Sequence, residues 1–149
     1  MRVTDKNRFP KLDTKATASK VDALLRAYPD YLAIAHRSFI RSPQLSGMPA
    51  GTFDPAAVEH VVINGMDATQ FVLDAKRALW LVREYDGDDW YNVLDLTYFT
   101  RLRPLNVIYD RLNISNTAYY NIKRWALCSF AELFPTTWGE LLVYEVKQA

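Results

Sequence analysis

The sequence predicts an all-α fold, a helical bundle with a long central helix, a C-terminal helix-turn-helix and a short extended tail. Apolar residues recur at helical spacing through most of the 149 positions. Prolines and glycines concentrate in one stretch, RSPQLSGMPAGTFDP at 41–55, and not in turns at regular intervals. The one segment rich in strand formers, TTWGELLVYEV at 136–146, has no neighbouring strand within the chain. The length is that of a single domain, and 50% hydrophobic residues exclude a disordered or fibrous chain. Within residues 1–149 we distinguish N-terminal helices and the Pro/Gly loop (1–55) and a long central helix with its successor (56–103). The helix-turn-helix (104–134) and a tail (135–149) follow.

A first helix is expected over 14–39, capped by Asp13 or Thr14 and burying Val21, Leu24, Leu25 and Tyr28. Pro29 lacks a backbone donor, so the helix kinks or restarts there, with YLAIAHRSF as the next piece. After the Pro/Gly loop, residues 56–85 carry a drifting stripe of Val58, Val61, Val62, Gly65, Ala68, Val72, Ala75, Leu79 and Val82, with a bend expected at Asn64-Gly65. Phe71, Leu73 and Trp80 lie away from that stripe, on a helix about 45 Å long at 1.5 Å per residue. DGDD at 86–89 lacks the oxygen spacing and late Glu of a calcium loop; Gly87 ends one helix and Asp88 or Asp89 caps the next. That next helix, WYNVLDLTYFTRL, is expected to run to about Leu102, and Pro104 to start the short helix LNVIYDRLN.

Asn113-Ile114 then forms a tight turn, because asparagine tolerates the left-handed conformation where glycine often stands. Ser115 or Asn116 caps a last helix over 115–134. Ile108, Leu112, Ile114, Ala118, Tyr119 and Ile122 stand where two crossed helices hold each other, and Ala126, Phe130 and Leu133 continue inward. Tyr109 replaces the small residue common at its position, which predicts a wider angle between the two helices. Ser115, Asn116, Thr117, Tyr120, Asn121 and Arg124 remain outside. Asn and Arg read base edges bidentately, Ser and Thr donate to phosphates, and a helix N-terminus favours an anion. With Lys123, Arg111, Arg103 and Arg101 as basic neighbours, this face suits the major groove of double-stranded DNA.

Charge agrees with a local basic face. The net charge is +1, divided as +4 over 1–54, −5 over 55–100, +3 over 101–134 and −1 over 135–149. A non-specific nucleic-acid coat would be more basic overall. A lone Cys128 excludes an internal disulfide and suits a reducing compartment. The charged opening MRVTDKNRFPKLDTK is no secretory signal, and no apolar run reaches the length of a membrane span, so a cytoplasmic protein without membrane contact is expected. His36 and His60 are far apart, no HExxH, Cys pair or glycine-rich phosphate loop occurs, and Glu59-His60 point about 100° apart on a helix. We expect no enzyme, no metal and no cofactor.

The segment NVIYDRLNISNTAYYNIKRWALCSFAELF resembles the C-terminal part of the ArpU/RinA-type family of phage transcriptional regulators. The likeness rests on the LNIS turn, the paired Tyr119-Tyr120, the basic pair Lys123-Arg124, and Ala126-Leu127 with Phe130-Ala131. SPQLSGMPAG is similar to that family's Ser-Pro…Gly-Met-Pro segment, so the likeness spans most of 38–134, while DDWYNVLDLTYFTRLRP is longer and more aromatic than the family pattern. The resemblance implies a sigma-factor-like helix-turn-helix acting on promoter or operator DNA in a bacterial host cell. It implies bacteriophage or prophage late, lysis or packaging genes as targets and host RNA polymerase as a partner. A second reading is a DNA-recognition or scaffold component of phage packaging, like a small terminase subunit. A homodimer is expected through the long helix or the tail, which alternatively lies along a helix of its own chain.

Overall fold

The computed structural model describes residues 8–41 and 65–146, and the first helix in it is α1, Thr14–Arg26. Of the two expected caps Asp13 serves: it stays extended at φ −76°, and its Oδ1 accepts from the Ala16 amide at 3.0 Å. Thr17, Ala18, Val21 and Leu25 are buried, whereas Leu24 packs at the core's edge. The chain restarts as α2, Tyr28–Arg41, with Pro29 in the first turn, where its missing N–H has no helical partner to lose. The Pro/Gly loop beyond Arg41, the stripe over 58–62, Asn64 and the Glu59-His60 pair lie outside the described residues.

Helix α3 covers Gly65–Asp86 and buries Ala68, Val72, Ala75, Leu79 and Val82 as the periodicity predicts. Phe71 is a correction: it is 1% exposed, seated edge-on against Tyr31 of α2 at 4.1 Å and against Phe134 at 5.6 Å. Drift of the stripe around a 22-residue helix gives α3 two buried flanks, because α2 covers one side and later helices the other. Leu73 and Trp80 alone of the three stay outward.

Gly87 ends α3 at φ 99°, but it is itself the N-cap of α4, Asp88–Leu94. Asp88 and Asp89 therefore stand in the first turn, not at the cap, where they complement the helix dipole. A side chain at Gly87 would meet nothing within 4 Å, so the positive φ is what calls for glycine there. Helix α4 widens into a π-helical turn over Asp95–Phe99, with the Thr100 amide bonded to the Asp95 carbonyl at 2.7 Å, and stops before the expected end at Leu102. Arg101 follows in the left-handed region at φ 60°. A turn closed by Val107 N–H to the Pro104 carbonyl at 3.0 Å leads into α5, Asn106–Leu112, which is shorter than expected.

Helix α6, Asn116–Leu133, receives α1, α3 and α4 along its length. The long helix α3, packed against α2, α4 and α6, thus shares the centre with α6, whose buried run Ala126–Ala131 faces helices on several sides.

Two terminal segments complete the core. Phe9 stacks between Trp125 at 5.8 Å and Trp90 at 6.3 Å, pulling residues 8–13 across α4 and α6. The tail was expected to find no strand, yet Tyr144 forms an antiparallel bridge with Leu12. Asp13 N–H donates to the Val143 carbonyl at 2.7 Å, and Glu145 N–H to the Lys11 carbonyl at 2.9 Å. Thr17 of α1 completes the edge, its hydroxyl accepting from the Val143 amide at 2.9 Å and donating to the Val143 carbonyl at 3.3 Å. The tail lies against its own chain, because a buried threonine and an extended N-terminal segment satisfy its backbone.

Candidate nucleic-acid interface

Asn113 adopts φ 56°, ψ 49°, the left-handed conformation expected at the junction of α5 and α6. The Ile114 amide bonds back to the Tyr109 carbonyl at 3.0 Å, so the chain reverses within a few residues. Ser115 is the cap of α6, its Oγ accepting from the Ala118 amide at 3.0 Å. Ile108, Tyr119 and Ile122 are buried beneath this junction, with Leu112, Ile114 and Ala118 partly buried around them.

The adjacent tyrosines divide their work. Tyr119 points inward, fully buried, and shares a 2.7 Å hydrogen bond with the Thr97 hydroxyl on the π turn. Tyr120 points outward, and its hydroxyl accepts from the Tyr109 hydroxyl at 3.3 Å, with the two rings edge-on at 6.3 Å. Tyr109 also tilts against Tyr119 at 4.7 Å, so one tyrosine of α5 grips both tyrosines of α6. The hydrogen bond to Tyr120, then partial burial and the neighbouring phenols, push the Tyr109 hydroxyl up to about 12. Tyr120 is a strut across the turn before it is a ligand for anything else.

Of the residues expected on the outer face, Ser115, Asn116, Thr117 and Tyr120 are exposed together at the first turns of α6, and Asn121 is half-buried beside them. Arg111 is exposed on α5. Arg103 is exposed but braced, its Nη1 donating to the carbonyls of Leu102 at 2.8 Å and Thr97 at 3.2 Å. Lys123 and Arg124 turn the other way. The Lys123 ammonium lies 3.8 Å from Asp22 of α1 and 5.7 Å from the ring centres of Tyr98 and Tyr120, with its side chain only 18% exposed. Arg124 is half-buried, its guanidinium 5.2 Å from the Trp125 ring and its Nε buried without a hydrogen bond. The cause is α1, which runs alongside this flank of α6 and narrows the free face to its N-terminal turns.

The same packing adds residues that local pattern did not suggest. Lys15 and Ser19 of α1 line an open groove of about 220 Å³ together with Tyr120, Lys123 and Arg124. They are a hundred positions from Tyr120, and α1 taken alone reads as an ordinary amphipathic helix. Cys128 is buried, with its Sγ donating to the Thr14 carbonyl at 3.4 Å, and burial pushes the thiol up to about 12. Among the described residues no group of three His, Cys, Asp or Glu side chains converges as a metal site, and no helix is long and apolar enough to cross a membrane. The chain matches no protein-family model, no curated protein and no solved structure.

Proposed function

We propose that the chain is a sequence-specific DNA-binding transcriptional regulator in which α5, the Asn113 turn and α6 act as a helix-turn-helix. One observation carries the reading: a left-handed asparagine and a serine cap present the free N-terminal turn of α6 with Ser115, Asn116, Thr117 and Tyr120 on one surface. Recognition helices of this motif contact bases with their N-terminal residues, so the flank covered by α1 need not enter the groove. Asn116 and Asn121 are the base-reading candidates, since a carboxamide pairs bidentately with adenine. Ser115, Thr117, Arg111, Arg103 and Lys15 are the phosphate candidates. In this reading Lys123 and Arg124 shape the α1 flank and raise the local potential without reading bases.

The likeness to the ArpU/RinA-type phage regulators supports a promoter or operator as the target and host RNA polymerase as a partner. It rests on LNIS, Tyr119-Tyr120 and the residues after them. Two copies would span half-sites about one helical turn apart, and the outward Leu73 and Trp80 of α3 are apolar positions open to pairing. Footprinting of the purified protein across its own phage or prophage genome tests the proposal. One or a few protected sites upstream of a gene are expected. Protection without preferred sequence from a ring-forming oligomer would transfer the protein to packaging, and no protection at low salt would end the DNA reading.

A further inference from the structure

A second basic feature adjoins the proposed DNA-reading surface and shares Arg103 with its phosphate candidates. Segment 97–105, α1 and α6 border a partly open cavity of about 310 Å³ whose charged lining is Arg26, Arg101, Arg103, Lys123 and Asp22. Four cations face one carboxylate. Asp22 is already engaged at both oxygens: its Oδ2 accepts from Arg26 at 2.8 Å, and its Oδ1 accepts from the Tyr98 hydroxyl, with the Lys123 ammonium 3.8 Å away. One negative charge thus leaves an excess of three positive ones around a recessed space. Arg103 spends only Nη1 on backbone carbonyls, so the rest of its guanidinium remains to donate.

The backbone here is also unusual. A π-helical turn, Asp95–Phe99, leads directly into Arg101 at φ 60°, a conformation that a long unbranched cation adopts only at a cost. Such turns and such outliers concentrate where a side chain is held for a ligand. Asparagine or glycine would occupy that position without strain, yet the residue present is the one whose planar fork matches a phosphate. The size agrees with a small ligand, since sites for small molecules begin at about 300 Å³.

We propose that the cavity bounded by Arg26, Arg101, Arg103 and Lys123 is a binding site for a small phosphorylated ligand, a phosphomonoester or a free phosphate. Lys123 connects it to the Tyr120 ring, which places an occupant within one side chain of the α6 surface. The site does not depend on the DNA-binding reading.

Isothermal titration of the full chain with inorganic phosphate, against chloride at matched ionic strength, tests it. Phosphate-specific binding is expected, weakened about tenfold in Arg101→Gln by the loss of a charge-assisted contact. Lys20→Gln, a change outside the cavity, should bind as wild type does. Arg101→Gly removes the guanidinium and relieves the backbone together, so it should melt higher while losing phosphate affinity. Absence of phosphate-specific heat, equal affinity in Arg101→Gln, or an Arg101→Gly chain that melts lower and keeps its affinity would each overturn the site. If Arg26→Gln with Arg101→Gln weakens DNA binding while free phosphate never binds, the small-ligand site is overturned and the cations belong to a DNA backbone contact.

Discussion

Arg8 holds Asp86 with two hydrogen bonds, Nε to Oδ1 at 3.0 Å and Nη2 to Oδ2 at 3.2 Å, across 78 positions of sequence. The Asp86 side chain is 9% exposed, and Ser129 of α6 donates to the same carboxylate, so three distant segments meet at the end of α3. Removal of one partner strands a buried charge, which outweighs the loss of the pair itself. Arg8→Ala should therefore destabilise the fold by roughly 2–3 kcal/mol in urea denaturation. Asp86→Asn added to Arg8→Ala should recover part of that loss. A double variant no more stable than Arg8→Ala would show that the stranded charge is not the cause.

Tyr119 and Thr97 form a buried pair at 2.7 Å, with exposures of 0% and 3%. Either Tyr119→Phe or Thr97→Val leaves one hydroxyl buried without a partner, at about 1–3 kcal/mol. The two changes together leave none, so the double variant should lose less than the sum of the singles. Strict additivity in the mutant cycle would mean that the hydroxyls are independently solvated.

Replacement of Asn116 by Ala should relax sequence preference on operator DNA by about 1–3 kcal/mol while leaving thermal stability unchanged, because the side chain is exposed. Lys15→Gln should instead weaken operator and random DNA alike and flatten the logarithmic salt dependence by about one unit. Titrations of both variants at several salt concentrations separate the two roles. An unchanged operator-to-random ratio for Asn116→Ala would remove it from the reading set.

Alkaline pH should unfold the protein earlier than carboxylate or lysine chemistry alone predicts. Burial raises the Cys128 thiol from 9.0 to about 12, and raises the phenols of Tyr28, Tyr31, Tyr98 and Tyr119 above their ordinary 10.0. Each group keeps its proton in the fold at pH values where the unfolded chain has released it. Stability is then complete below about pH 9 and falls as pH rises, by up to about 1.4 kcal/mol per pH unit for each such group. Cys128→Ala should make the first part of that fall shallower in denaturation curves recorded from pH 8 to 11. An identical slope with and without the thiol would exclude Cys128 as a contributor.

The local pattern of residues was enough for the all-α class, the end of α3 at Gly87 and the left-handed turn at Asn113, and it narrowed the caps to Asp13 or Thr14 and Ser115 or Asn116 and the break at Pro29 to a kink or a restart. These depend on backbone sterics and on a side chain reaching an amide three residues away, interactions contained within one helical turn. The same locality made Ser115, Asn116, Thr117 and Tyr120 readable as one surface. Tertiary packing decided everything that depends on what lies opposite. Phe71 is core because α2 covers its flank of α3, and Lys123 faces Asp22 because α1 lies beside α6. The charged opening stretch offers no helical periodicity that places residues 8–13, yet Phe9 fills the gap between two tryptophans and Leu12 meets the tail at Tyr144. The cavity of Arg26, Arg101, Arg103 and Lys123 draws on three separate stretches of chain. Helical periodicity states which residues turn away from water but not which helix receives them, because burial is non-directional.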